Sequence, residues 1–423
     1  MAGATSVMVD GELFEYPGSS MPYEVLATGL YVGQGKVAYT FTYSGEGTLL
    51  GYSTTEGATT PDTGFAVGDT GTISARVTTY YFYSVADTGG GGGDVTDTIS
   101  VSYGDTKIHT ATAPETFTLN TEGKFMTDDI VIAPWVPDPI LENNSWEDIS
   151  IVASAGTTAS YWSVGDTKKV HLQGTMGTLS LNTDLYVFII GINHRDVNGI
   201  TWQGFKTAAS GGKDVALGDG MAGDTDTSGS KYFNMNHRGN YNYGGWKGCD
   251  LRYDVLGSTN TAPSGYGSTP TTSRVGYDAG TTTATSPVSN TLMSCLPSDL
   301  RDVMQPMTVY TDNKGNSSNT SANVTASIDY LPLLAEYEVH GSRSYANQYE
   351  QNNQSQYAYY SAGNSKVKYS HSSTTYAVDW WERSPSYNSS SYFCYTSYAG
   401  NRSNTTAHYI QYVSPMFLVG GNE

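Results

Sequence analysis

Asp219, Asp224 and Asp226 stand together in a glycine-rich stretch, and carboxylates so closely spaced can offer oxygen ligands to a calcium ion. The spacing is not that of an EF-hand, and acidic residues are common in solvated turns, so Ca2+ is one of two readings. His194, His237, His340, His371 and His408 show no HxxxH or HxH spacing and read as surface or hydrogen-bonded core residues rather than metal ligands. Cys249, Cys295 and Cys394 lie far apart and form neither a CxxC pair nor an even-numbered disulfide framework. A nucleophile would need a base and an orienting partner, and no Gly-x-Ser-x-Gly elbow or P-loop supplies that context. No enzyme and no catalytic residue is expected. A glycosidase built on two separated carboxylates leaves no local signal, which keeps a polysaccharide depolymerase as an alternative.

The chemistry that does stand out is recognition. Between residues 341 and 412 there are 13 Tyr, 7 Asn and 15 Ser, so three residue types make up nearly half of the segment. Tyr offers a large amphipathic surface with few rotatable bonds, while Ser and Asn donate and accept hydrogen bonds adaptably, as in antibody loops. The contact residues expected are Tyr387, Asn388, Tyr392, Tyr395, Tyr398, Asn401, Arg402, Asn404 and Tyr409. Tyr345, Tyr349, Tyr357, Tyr359 and Tyr360 form a second candidate patch. The alternative is a polar β surface or a contact between subunits of a fibre.

The elements that must carry such a surface follow from composition. The 423 residues suit several domains. Charged residues make up only 14%, with 48 Gly and 34 Tyr, a profile that favours short strands and turns over helices. Aromatic residues at 12% supply bulky apolar surface for folded cores. The net charge of −19 repels phosphate backbones and anionic headgroups, which argues against nucleic acid. The strongest apolar run, Leu185 to Ile190, is far short of the roughly 20 residues of a membrane span, so no membrane insertion is expected. Met1–Val7 lacks the basic and apolar regions of an export signal, which predicts synthesis in a bacterial cytoplasm.

Along the chain, residues 1–88 read as a small β domain, with Lys36–Tyr43 and Ala75–Tyr83 as strand-like runs between glycine turns. The run Gly89–Gly93 suits neither strand nor helix, giving a linker over 89–94. Residues 95–134 form a short β module, and the Pro-rich segment 135–140 a stiff joint. Residues 141–423 read as one large domain. Within it Gly245–Leu256 and Ser298–Met304 are predicted helices, the second opened by Ser298 as N-cap, and the Gly/Ser/Thr tract of about 257–290 is a surface excursion. A Gly-Asp-Thr echo recurs at 68–70, 104–106 and 165–167, where Gly-Asp is an ordinary turn pair.

Two stretches resemble known families. Phe117-Thr118-Leu119-Asn120-Thr121-Glu122-Gly123-Lys124-Phe125, closing with Asp128-Asp129-Ile130-Val131-Ile132, resembles a β module that recurs in phage structural proteins. Several motifs from Ser145-Trp146-Glu147-Asp148-Ile149 through Tyr161-Trp162-Ser163 and Gly244-Gly245-Trp246 to Trp380-Trp381-Glu382-Arg383-Ser384-Pro385 and the ending at Phe417 and Leu418 resemble an uncharacterised domain family of gut bacteria and their phages. That family has features similar to C-type-lectin-like and formylglycine-generating-enzyme-like folds, and usually carries Leu where Glu382 stands. The resemblance implies a core built on Trp146, Trp162, Trp246, Trp380, Trp381, Arg383 and Phe417, with Arg383 pairing a buried carboxylate or loop carbonyls. The Tyr-rich segment is similar to targets of diversity-generating retroelements. The reactive cysteines of formylglycine-generating enzymes have no counterpart in Cys249, Cys295 and Cys394, so that activity does not carry over.

The expected architecture is therefore mainly β and multidomain, with small N-terminal β-sandwich-like modules followed by an α+β C-type-lectin-like C-terminal domain. The expected function is that of a phage virion adhesin on the particle surface. Its N-terminal modules join other virion proteins, and its C-terminal domain binds a host-surface or mucus glycan or protein. A homotrimer is expected by analogy with phage fibres, since weak sites gain avidity when displayed together. A head fibre or capsid decoration protein is the structural alternative.

Overall fold

The computed structural model describes residues 137–219 and 233–421, together with the backbone of eleven strands between residues 6 and 131. It is mainly β, as the composition requires. The chain divides into two compact units, Met1–Asp138 with Asn143–Asp148, and Pro139–Glu142 with Ile149–Glu423.

In the first unit β1 (Ser6–Val9) and β2 (Glu12–Glu15) form a hairpin. There follow β3 (Lys36–Ser44), β4 (Thr48–Ser53), β5 (Thr63–Gly64), β6 (Thr70–Ser74), β7 (Thr79–Val85), β8 (Thr98–Tyr103), β9 (Thr106–Thr112), β10 (Phe117–Leu119) and β11 (Lys124–Val131). They pair in two antiparallel sheets, β10-β11-β7-β4-β5 and β6-β3-β8-β9. Where two modules were expected, 1–88 and 95–134 contribute strands to the same two sheets, since β8 pairs with β3 and β11 with β7. The glycine run between them lies outside the described residues.

Helix α1 (Trp146–Ser154) has its first three residues in the first unit and the rest in the second, where there follow β12 (Thr167–Met176), β13 (Leu179–Ile192), β14 (Ile200–Lys206), β15 (Val215–Ala216), α2 (Asp250–Asp254), α3 (Leu292–Cys295) and α4 (Ser298–Arg301). They continue with β16 (Met304–Gln305), β17 (Met307–Asp312), β18 (Val324–Asp329), α5 (Glu336–His340), α6 (Ala358–Ser361), β19 (Lys368–Ser370), β20 (Ser373–Val378), β21 (Trp380–Pro385), β22 (Tyr392–Thr396), β23 (Arg402–Thr406) and β24 (Met416–Val419). Ser145 caps α1: its hydroxyl accepts from the Asp148 N–H at 3.1 Å, while the Asp148 carboxylate accepts from the Ser145 N–H at 3.2 Å.

The central sheet has the order β12-β13-β14-β24-β16. Strand β12 alternates, with Val170 and Leu172 buried and Lys169, His171 and Gln173 outside, so only one of its faces is covered. In β13 the run Val187–Ile190 is wholly buried, as befits an inner strand packed on both faces. The β14–β24 register sets Trp202 opposite Phe417, their rings stacked at 6.2 Å. The Thr of each Gly-Asp-Thr echo opens a strand, Thr70 in β6, Thr106 in β9 and Thr167 in β12.

Both predicted helices are shorter than the pattern implied. Gly244 and Gly245 take positive φ (83° and 54°), so no helix runs through them, and Cys249, extended at φ −76° and ψ 150°, sets the helix start at Asp250. Ser298 is the first residue of α4 rather than its cap, which is Pro297, and Met304 leaves the helix to pair with Val419 of β24. The tract after Gly257 carries no helix or strand up to α3, yet it is pinned. Arg274 reaches the Asp250 carboxylate and the Gly248 carbonyl, and the Tyr277 carbonyl accepts from Arg252 at 2.6 Å.

Candidate functional site

The sheet β21-β22-β23 carries four of the nine residues expected to make contact, Tyr392, Tyr395, Arg402 and Asn404, and the segments that join or follow its strands carry the other five. Its foundation is β21, where all six side chains are buried. Trp380 and Trp381 satisfy their indole N–H groups on the Lys366 carbonyl (3.0 Å) and the Phe233 carbonyl (3.1 Å). Arg383 donates through both Nη atoms to the two oxygens of Glu338, each at 2.6 Å, and Nη1 also reaches the Leu333 carbonyl at 2.8 Å. Its Nε donates to Thr311 Oγ1 at 2.7 Å. The planar guanidinium thus meets both a carboxylate and a loop carbonyl. Glu382, at the position where the resemblance gives Leu, is buried and accepts from Thr396 Oγ1 at 2.7 Å, with His340 Nε2 at 3.2 Å. All seven core positions, Trp146, Trp162, Trp246, Trp380, Trp381, Arg383 and Phe417, are buried.

Three buried or partly buried polar groups hold the loops around this sheet. Asn242 is fully buried and spreads its amide over the 386–392 loop, donating to the Ser389 carbonyl at 2.7 Å and the Tyr392 carbonyl at 2.9 Å. Its own N–H donates to the Ser390 carbonyl at 2.7 Å, and its Oδ1 accepts from the Asn316 N–H at 2.9 Å. Glu336 accepts the N–H groups of Ser344, Tyr345 and Ala346 at 2.7 to 2.9 Å, which fixes the loop after α5. Burial and the nearby Glu382 push the Glu336 carboxyl above its usual range, against the pull of those three donors. Asp379 accepts from the Tyr398 N–H at 2.6 Å and so anchors the turn between β22 and β23.

On this scaffold none of the nine expected contact residues is buried. Tyr398 is 63% exposed and Tyr392 36%; Asn388 and Asn401 are also exposed, and Tyr387, Tyr395, Arg402, Asn404 and Tyr409 are half-buried. Hydrogen bonds join the loop to the strands: Ser386 Oγ donates to Asn388 Oδ1 at 2.7 Å and lies 3.0 Å from Asn404 Nδ2. Strand pairing sets Tyr395 opposite Ser403, Cys394 opposite Asn404 and Thr396 opposite Arg402. Antiparallel partners point to the same face, so Arg402 and Asn404 lie on one side of the sheet and Tyr395 on the other. Tyr395 packs edge-on against Trp381, their centroids 6.4 Å apart. The Tyr409 ring stands edge-on to the neighbouring His408 ring, at 5.6 Å.

The second patch comes apart. Tyr345 and Tyr349 are half-buried, whereas Tyr357, Tyr359 and Tyr360 are 5% exposed or less. The Tyr360 hydroxyl donates to Gln203 Oε1 at 2.6 Å, and the Tyr359 hydroxyl sits between Lys206 and Asp214, so these two tyrosines brace the core from α6. Composition alone could not separate them from the exposed set, because Tyr serves both roles. The surface also gains residues that composition did not reveal. Arg343 lies 5.7 Å from the Tyr387 ring centroid, and Ser344 Oγ accepts from Arg402 Nη1 at 3.2 Å.

The remaining chemical groups are absorbed by the structure. All three cysteines are free and buried. Burial pushes the Cys249 thiol up to about 12 and the Cys295 thiol up to about 11, and raises Cys394 as well, which is the reverse of what a thiolate nucleophile requires. His237 lies between Asn234 and Asp254, in hydrogen-bond reach of both. Asp219 accepts from Thr178 Oγ1 at 3.2 Å, and Asp224 and Asp226 lie outside the described residues. Among the described residues no group of three or more His, Cys, Asp or Glu is placed to hold a metal ion, and no helix is long and apolar enough to cross a membrane.

A family model described as "Domain of unknown function (DUF6273)" matches residues 230–420, a span that contains the β21-β22-β23 sheet, its pinning residues and the last strand of the central sheet. No curated protein and no solved structure matches the chain.

Proposed function

We propose that the second unit is a recognition module, and that the chain is an adhesin of a phage particle whose β21-β22-β23 surface binds a host-surface or mucus glycan or protein. The reading rests on one observation. Side chains of paratope type stand exposed or half-exposed on loops that Asn242, Glu336 and Asp379 hold in place. A surface fixed in advance loses little conformational entropy on binding, which is where affinity is gained. The lectin-like fold, the trimer and the place on the virion belong to the same proposal and draw on the sequence resemblance. The buried carboxylates beneath the sheet, Glu336, Glu338 and Glu350, are engaged in holding loops and Arg383, which leaves a depolymerase little support from this region.

Binding of the full chain to a glycan array and to intact host cells tests the proposal. Saturable binding to a defined glycan or to cells, with no release of reducing ends from host polysaccharide, is the expected result. Absence of binding to both, or release of reducing ends, would count against it.

A structural reading draws on a different feature. Among the described residues β23 is the outer strand of its sheet, and such an edge can pair with another chain. A dry interface over residues 387–409 in assembled particles would favour a head fibre or decoration protein.

A further inference from the structure

A second feature of this unit shares no residue with the Tyr-rich surface. A cavity of about 380 Å3 lies where the end of β13 faces β17, β18 and α5, a volume in the range of small-molecule sites. Its apolar wall is formed by Met307, Val309, Ile328 and Leu418, and the rest of the lining is mostly polar, His194 and Arg195 among it. Ile328 is 37% exposed although large and apolar, and Val197 beside it is 44% exposed.

The backbone that presents His194 and Arg195 is costly. Asn193 and Arg195 both adopt left-handed conformations, with φ of 48° and 56°. Asn193 is compensated locally, since its side chain accepts from the Gly199 N–H and donates to the Gly156 carbonyl, each at 3.1 Å. Arg195 has no such compensation among the described residues. A turn from β13 to β14 needs no arginine there, and glycine would do the same at lower cost. What the strained residue achieves is position: its guanidinium lies at the cavity, 5.9 Å from the Tyr310 ring centroid, with no carboxylate partner among the described side chains.

His194 is placed with equal care. Its ring stacks on Tyr357 at 4.0 Å and 19°. The stack demands Gly191 behind it, where a Cβ would come within 3.0 Å of the Tyr357 ring. Burial keeps the His194 imidazole below its usual pKa, and its Nε2 is buried without a hydrogen-bond partner among the described residues. The one carboxylate in the lining, Glu338, has both oxygens on Arg383. Arg195 is therefore the cation of the lining with no carboxylate bonded to it among the described side chains, within a chain of net charge −19.

We propose that this cavity binds a small carboxylate with an apolar body, the carboxylate held by the Arg195 fork and the body lying against Met307, Val309 and Ile328. Guanidinium and carboxylate match in geometry, and an apolar body suits the side of the wall formed by Met307, Val309, Ile328 and Leu418.

The test is calorimetric titration of the full chain with octanoate and 3-phenylpropionate, with octan-1-ol as the uncharged control. At least one carboxylate should bind with Kd below roughly 1 mM, an energy of about −4 kcal/mol, and octan-1-ol at least tenfold more weakly. R195G should abolish binding and raise the melting temperature, because it relieves the left-handed backbone while removing the fork. I328W, at the half-open rim, should block entry and leave the fold intact. Failure of both carboxylates to bind, equal binding of octan-1-ol, or carboxylate binding retained in R195G would each overturn the proposal. These outcomes are independent of glycan or host-cell binding by the Tyr-rich surface.

Discussion

Strands β21 and β23 belong to one three-stranded sheet and differ in nearly everything else. Every side chain of Trp380–Pro385 is buried, and each of the five in Arg402–Thr406 is half-exposed. Strand β22 mediates between them, with Phe393 and Cys394 buried and Tyr392 at the surface. One strand is an anchor built from indoles and a charge network, and the other is a display. Variation on the display need not reach the anchor, because the pinning bonds run from Asn242, Glu336 and Asp379 to backbone groups, whatever side chains the loops carry.

The largest effect should come from the anchor. Arg383→Met removes the only cation bonded to Glu338 among the described residues and leaves a buried carboxylate unpaired, at a cost of about 3–5 kcal/mol. Urea unfolding measures it, and a loss below about 1 kcal/mol, the size of a surface ion pair, would break the contrast between the two strands. Asn242→Ala leaves the 386–392 carbonyls without their buried donor, with an expected loss of about 1–3 kcal/mol. Hydrogen exchange should quicken in 386–392 and in the neighbouring β22, while β12 and β13 stay protected.

A smaller, pH-dependent effect follows from Glu350. Burial pushes its carboxyl up to about 8, although Ser384 and the Asp312 N–H donate to it. The folded state thus holds a proton that the unfolded chain releases near the ordinary value of 4.5. This contribution is complete below that value and is lost as the pH rises through about 8. The urea midpoint should fall across this window in the natural protein, and by less in Glu350→Gln; equal slopes would remove Glu350 from the network. The smallest effect belongs to the display. Tyr398→Ala, at a side chain 63% exposed, should change stability by less than about 0.5 kcal/mol.

The contrast between anchor and display was only partly legible in the sequence. The Trp-Trp-Glu-Arg run marks the anchor because two adjacent indoles are large apolar surfaces that gain by burial. The exposed tyrosines from 387 to 409 are legible by composition, but Tyr357, Tyr359 and Tyr360 carry the same composition and lie in the core. Only the packing of α6 on β13 separates the two sets. Asn242 and Glu336 left no signal, since a side chain that bonds backbone distant in sequence has no spacing to read. The helices were overextended for a local reason, the left-handed Gly244 and Gly245 and the strand pairing of Met304. The cavity was invisible because His194 and Arg195 meet Met307 and Ile328 only through tertiary packing.

The most direct measurement of the central claim is binding of the full chain carrying Tyr392→Ala, Tyr395→Ala and Tyr398→Ala together, on the host cells or glycan that the natural chain recognises. Binding should be lost while the circular dichroism spectrum is unchanged and the melting temperature falls by only a few degrees, the share owed to the Tyr395–Trp381 contact. Undiminished binding by this variant would contradict the assignment of recognition to the β21-β22-β23 surface.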